Sequence, residues 1–233
     1  MTAPRPIDKD LWVIDDLMAL PLGVRMPIRA TVVRIAGGGL WVHSPTPLAP
    51  ELAAALDALG PVGDLVAPSR LHHRWLSPWA TRFPGARLWA APGLAAKRPE
   101  LSFAGVIGTG ALPPWSGEIE ALPLGGAPGL GEVVFFHRAS RSLMCTDLLF
   151  NVRLPPNRMT ALVLTVMGTR GRLAMSRAWR RFTRDRAALK ASLDDMLGWD
   201  FARVIPAHGE VFEGQGGGDP RGETRAALAW ALR

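Results

Sequence analysis

The sequence predicts an α/β protein in which two sheets are covered by helices, and three patterns carry that prediction. Short β-rich runs recur through the first two thirds, helical periodicities lie between them and gather towards the end, and no internal repeat or linker divides the chain. With 233 residues there is length for a sizeable buried core, and the whole span 1–233 reads as a single domain.

Leu11 to Ile14 is a first short strand, closed by the turn Pro21-Leu22-Gly23. Thr31-Val32-Val33 marks a strand over 29–35, and the triple glycine Gly37-Gly38-Gly39 turns it into Leu40-Trp41-Val42-His43, which makes a hairpin. Leu52, Leu56 and Leu59 place a helix over 49–59, stopped by Gly60-Pro61. A buried strand at Leu65-Val66-Ala67 runs into the loop Pro68-Ser69-Arg70-Leu71-His72-His73-Arg74, then a helix through Trp75, Trp79 and Phe83. Strands follow at 87–91, near Val106-Ile107, and at 118–124, 132–137 and 142–146, the last ending at Asp147. From there to Gly171 the pattern is poor, although Ala161 to Met167 is apolar enough for the core. One helix is expected over 176–198, a last strand over 201–205 delivering Pro206-Ala207-His208-Gly209, and a final helix from Arg221.

Composition excludes several classes. Apolar residues make up 48% of the chain, yet no run is long enough to cross a bilayer, and the first ten residues carry no signal-peptide pattern. The single cysteine, Cys145, rules out an internal disulfide framework, suits a cytoplasmic protein, and reads as an inert buried thiol. The net charge of +7 comes mostly from arginine, with a concentration between Arg153 and Lys190. Such a segment can attract nucleic acid, anionic lipid or an acidic substrate, although a solvated helix face is the plainer reading. With no tyrosine in the chain and few aromatics in this segment, a stacking platform for nucleic acid is not supported.

The chemistry-bearing candidates sit where strands end. His72 and His73, two of only five histidines, follow the strand at 65–67. Alone, such histidines are more often surface or hydrogen-bonded residues than ligands. Asp147 follows the apolar Leu143-Met144-Cys145-Thr146, where a carboxylate needs a partner because water is scarce; a turn or N-cap aspartate is the plainer reading. His208 follows another buried strand and is flanked by small residues. Together the three positions suit an ion such as Zn²⁺ or Fe²⁺, which accepts imidazole and carboxylate and can activate water. Trp75 and Trp79 read as core, and His137 as a turn residue.

The order of these features resembles the metallo-β-lactamase fold superfamily over residues 11–213, which implies a four-layer αββα sandwich. The superfamily's first signature, His-x-His-x-Asp-His, falls on Pro68-Ser69-Arg70-Leu71-His72-His73, with His72 at its aspartate and His73 at its last histidine. Its middle histidine would fall near Pro128, where none is present. Asp147, in Cys145-Thr146-Asp147-Leu148-Leu149-Phe150, is similar to the bridging aspartate, and His208, in Ile205-Pro206-Ala207-His208-Gly209, to the late Pro-Gly-His-Gly motif. His43, ending Leu40-Trp41-Val42-His43, takes the place of an aspartate. The chain also resembles a branch of the superfamily that carries a His-His pair in its first motif and supplies a fold rather than a reaction.

The resemblance implies loss of the first metal site and retention of a second, with one divalent metal, zinc or iron, held by His72, His73, Asp147 and His208. Asp147 is its expected catalytic carboxylate. His43 or Ser44 would orient the imidazoles. Arg70 and Arg74 flank the site and read equally as surface charges or as a grip on the phosphate or carboxylate of an anionic small-molecule substrate. The implied function is hydrolase-like. The alternatives are an inactive relative that uses the pocket for binding a small molecule or partner, and an iron-dependent redox protein.

Overall fold

The computed structural model describes residues 3–233. Its first sheet takes up β1 (Arg5–Asp8), β2 (Leu11–Ala19), β3 (Arg25–Arg34), β4 (Leu40–His43), β5 (Val62–Ala67), β6 (Arg87–Ala90) and β7 (Gly105–Val106), side by side in chain order. The first four strands pair antiparallel and the last four parallel. The parallel steps are bridged by α1 (Pro50–Leu59), α2 (Leu76–Arg82) and the short α3 (Leu94–Lys97). The second sheet orders β8 (Ile119–Pro123), β9 (Val133–His137), β10 (Ser142–Asn151) and β11 (Arg203–Gly209), antiparallel except for the parallel β10–β11 pair. The remaining helices are α4 (Arg158–Met167), α5 (Arg177–Phe182), α6 (Arg186–Leu197), α7 (Pro220–Ala227) and α8 (Ala229–Leu232).

Three buried layers hold these elements together. Between the sheets lie Leu11, Val33, Trp41, Val66, Trp89, Phe135, Met144 and Ile205, contributed by alternating strand positions. The outer face of the first sheet packs Leu40, Leu65 and Leu88 against Leu52, Leu56 and Trp79 of α1 and α2. The outer face of the second packs Leu143 and Val204 against Leu189, Leu193 and Met196 of α6. The result is helix, sheet, sheet, helix.

Several elements differ from the sequence reading, each for a local reason. β1 was not expected, being four half-polar residues with only Ile7 turned towards the core. β2 and β3 are a long ribbon paired from Leu11↔Val33 to Ala19↔Arg25, because Arg29 bonds Asp15 across it and hides its charge from the pattern. α4 fills the stretch that read poorly: Asn157 caps it by accepting from Thr160 N at 2.8 Å, and Gly168 ends it at φ 75°. The expected helix over 176–198 is two, broken where Arg184 N and Asp185 N both donate to Gly126 O. Asp185 then caps α6, accepting from Ala188 N. The final helix also breaks, at Leu228. Among the described residues, no helix is long and apolar enough to cross a membrane.

Candidate metal centre

The loop after β5 is stitched down before its histidines are reached. Ser69 Oγ accepts from Leu71 N and His72 N at 3.2 and 3.0 Å, and Arg70 N donates to Leu130 O at 2.9 Å. Near the start of β5 the fully buried Asp64 is held by Arg87 and by Trp89 Nε1.

Asp147 lies within β10 rather than at its end. The β10–β11 register is regular to Cys145↔Pro206, shifts, and resumes at Phe150↔His208, so Asp147 sits in the irregular interval. The three N–H groups around it do not go to β11. They are collected by the buried carboxylate of Glu132, from Thr146 N (2.7 Å), Asp147 N (3.1 Å) and Leu148 N (3.2 Å). Sequence reasoning took Glu132 only as the start of a strand. The signal available was an acid placed directly against the apolar run Val133-Val134-Phe135-Phe136.

His72, Asp147 and His208 come together, with one ligand atom of each within 4.8 Å of the others. His208 Nε2 lies 3.4 Å from Asp147 Oδ1, and His72 Nε2 lies 3.4 Å from Asp147 Oδ2. Neighbouring ligand atoms around a tetrahedral ion with bonds of ~2.0–2.2 Å are roughly 3.3–3.6 Å apart, whereas a charged N–H···O bond is shorter, about 2.7–2.9 Å. Asp147 Oδ2 is buried without a hydrogen-bond partner.

His208 Nδ1 is 2.7 Å from Pro27 O, and a carbonyl only accepts, so the ring proton is on Nδ1. The lone pair of Nε2 then faces a carboxylate oxygen. Two acceptors in that position need a cation between them, unless the imidazole takes a second proton. The His208 ring is further held by stacking on Phe150, centroids 4.5 Å apart. His72 Nδ1 pairs with Ser44 Oγ at 2.9 Å, which turns its Nε2 to Asp147. The donor set, two imidazoles and one carboxylate, fits a divalent ion with open positions.

A family model described as "Domain of unknown function (DUF4336)" matches residues 8–177, most of the chain. The chain belongs to the DUF4336 family. The matched span includes His72 and Asp147 and stops before His208. Among solved structures, the DUF4336 chain is similar to a metallo-β-lactamase from Pontibacter korlensis, with a TM-score of 0.64, 13% identity, and coverage of 100% of this chain and 97% of that one. It is similar to a metallo-β-lactamase from Hirschia baltica at TM-score 0.63 and 10% identity, covering 98% and 95%. It is also similar to the metal-soaked Flv1 flavodiiron core from Synechocystis sp. PCC6803 at TM-score 0.64 and 13% identity, covering 98% of this chain and 60% of that one. At these identities the likeness is one of fold: the DUF4336 chain has the metallo-β-lactamase fold, the αββα sandwich described above. No curated protein sequence matches it.

One expected ligand of the DUF4336 chain is placed elsewhere. His73 Nδ1 is 2.7 Å from Arg98 Nη1, and a guanidinium only donates. Nδ1 is therefore the acceptor, the ring proton is on Nε2, and His73 presents no lone pair to the cluster. Burial together with the charges of Lys97 and Arg98 holds its pKa below the ordinary histidine value. The adjacency of His72 and His73 hid this, because the two rings diverge on the turn that starts α2.

The other candidates of the DUF4336 chain sort as follows. His43 packs between Trp41 and Phe135 in the inter-sheet core, its Nε2 without a partner, and burial pushes its pKa down to about 3. Arg70 donates to Pro128 O at 3.2 Å, and Arg74 lies over Trp75. His137 pairs with Ser140 Oγ at the β9 turn, and Cys145 is buried, its thiol pushed up by burial. Between Glu132 and Asp147 the electrostatics are opposed. Burial and the neighbouring Asp147 charge raise Glu132 to about 8, whereas for Asp147 burial, which raises its pKa, is outweighed by His72 and His208 in their protonated, donating forms, so that the carboxyl is held below the usual range.

Beside Asp147 lies a small, mostly apolar cavity of about 60 Å³ walled by Leu71, Leu130, Phe150, Met167, Trp179 and Phe182. Trp179 Nε1 donates to Asp147 O at 2.8 Å, tying α5 to the site.

Proposed function

We propose that this chain holds one divalent metal ion on His72, Asp147 and His208 and acts on a small anionic substrate in a hydrolase-like reaction, as a single domain. The observation that carries the reading is the opposition of the His208 Nε2 lone pair and the Asp147 carboxylate, 3.4 Å apart, with the other ring nitrogen committed to Pro27 O. A divalent ion there would supply Lewis acidity and bring the pKa of a water towards neutrality. The chain's own residues do the rest. Ser44 and Pro27 O fix the two imidazoles, Glu132 fixes the backbone that carries Asp147, and the apolar wall of Phe150 and Trp179 limits access of bulk water. One carboxylate leaves a divalent ion with net positive charge, which favours an anionic substrate.

A second reading, iron-dependent redox chemistry, has its own support. Two histidines and one carboxylate with open positions suit non-haem Fe²⁺ as well as zinc, and one structurally similar protein is a flavodiiron core. Elemental analysis of protein purified with and without oxygen, with an optical and paramagnetic-resonance spectrum of each, tests both. A stoichiometric spectroscopically silent zinc supports the hydrolase-like reading, and stoichiometric iron supports the second. Absence of any stoichiometric metal after loading and desalting would refute both and leave a pocket that binds without metal.

A further inference from the structure

On the far side of α5 from Asp147 lies a larger groove, about 640 Å³, lined by Arg172, Arg177, Arg180 and Arg233 with Glu223 as its acid. We propose that this groove binds a small, multiply phosphorylated molecule.

Three observations argue for it. Among the described residues, none of the four arginines has a carboxylate within ion-pair distance, unlike Arg5, Arg34, Arg82, Arg87, Arg138, Arg141 and Arg225 elsewhere on the surface. Glu223 is engaged as well, accepting from Gln215 N at 2.8 Å. Four guanidiniums against the one carboxylate of Glu223 leave the groove with an excess of positive charge.

The guanidiniums are also positioned without being discharged. Arg180 lies over the Trp230 ring at 5.2 Å, with Arg186 over the same ring at 4.9 Å. Arg177 donates to Val166 O at 3.1 Å and rests on Gly168, where an added Cβ would meet its Nε at 3.0 Å. Stacking on a ring and a bond to a carbonyl hold a guanidinium in place yet leave its charge and most of its five donors for a ligand. Planar forks in this state match phosphate oxygens in pairs.

The volume selects the size of ligand. It falls within the ~300–1,000 Å³ of small-molecule sites. The groove is a bounded concavity at the junction of α5 and α8, not a long stripe with interleaved rings, which argues for a small molecule over a nucleic-acid strand.

Titration calorimetry of the full chain with inorganic pyrophosphate at low ionic strength tests this, with orthophosphate, single-stranded RNA and phosphatidate-containing vesicles as separate arms. Saturable one-to-one pyrophosphate binding is expected, weakened roughly tenfold for each guanidinium removed in Arg172→Gln and Arg180→Gln. Arg180→Lys should recover part of the loss, and Asp147→Asn, which lowers bound metal, should leave the arginine-dependent part of pyrophosphate binding intact, which separates this groove from the metal centre. Vesicle binding that is lost in the same variants would assign the phosphate to a lipid headgroup. Equal pyrophosphate affinity in parent and glutamine variants, no saturable binding up to about 1 mM, or binding to RNA alone would overturn the proposal.

Discussion

The buried carboxylate of Glu132 is locked to the half-buried Asp147 through the backbone: Glu132 Oε2 accepts the N–H of Asp147 at 3.1 Å, while Oε1 takes those of Thr146 and Leu148. A strand that would ordinarily pair with β11 is thereby held off it over the residues that present Asp147 to His72 and His208.

Glu132→Ala should therefore destabilise the fold by about 3 kcal/mol or more, since three buried N–H groups lose their acceptor. Urea denaturation measures it. A loss under about 1 kcal/mol would mean the segment re-pairs with β11 and that Glu132 is not what shapes it.

The ligand assignment predicts a split between neighbouring histidines. His208→Ala and Asp147→Asn should each lower bound metal by tenfold or more, and His72→Ala likewise. His73→Ala should leave metal content near the parent's but cost stability, because Arg98 loses an acceptor at 2.7 Å. Retained metal in the Asp147→Asn and His208→Ala variants would remove the proposed centre.

Ser44→Ala should weaken metal binding more modestly, by up to about tenfold, through the orientation of His72. Ser44→Thr, which keeps the hydroxyl, should recover affinity if its positive φ of 55° is tolerated. Metal-competition titration with a chelator compares the two. Identical affinities of the parent and the alanine variant would discount the Ser44–His72 bond.

His43 predicts a pH dependence. Its folded pKa of about 3 lies below the ordinary histidine value near 6.5, owing first to burial and then to His72. The unfolded chain therefore binds the proton more readily, so stability is complete above about pH 6.5 and falls as pH drops towards 3. Between pH 7.5 and 5 this should remove roughly 1–2 kcal/mol. His43→Phe should flatten that part of the profile, and an unchanged slope in the variant would contradict it.

Gly126→Ala should be strongly destabilising, by roughly 2 kcal/mol or more. An added Cβ would fall 1.9 Å from Asp185 O, and φ is 78°. Thermal denaturation reads the shift; a neutral substitution would show that the α5–α6 break does not depend on this approach.

Much of the architecture was legible along the chain because it follows from local rules. Short apolar or β-rich runs marked β4, β5, β6 and β9, alternation marked β8, leucine spacing marked α1, and the order of motifs pointed to the αββα sandwich. Asp147 and His208 stood out because each polar residue closes an apolar run. Where non-local partners hide a residue's character, the chain alone was silent or misleading. Arg29 reads as a surface charge but is buried against Asp15 and Pro206 O. α4 reads as loop because its β-branched residues have weak helix preference and its cap, Asn157, is an unremarkable asparagine.

Composition and pattern were thus sufficient for which strands exist and which side chains are out of place in them. The choice between His72 and His73 was not contained there, nor was the part played by Glu132. An imidazole becomes a ligand or a spectator according to what its other nitrogen touches. For His72 that is Ser44, for His208 the carbonyl of Pro27, and for His73 the guanidinium of Arg98, partners 25 to 181 residues away in sequence. Only folding brings them together, so only the folded chain sets which lone pairs converge.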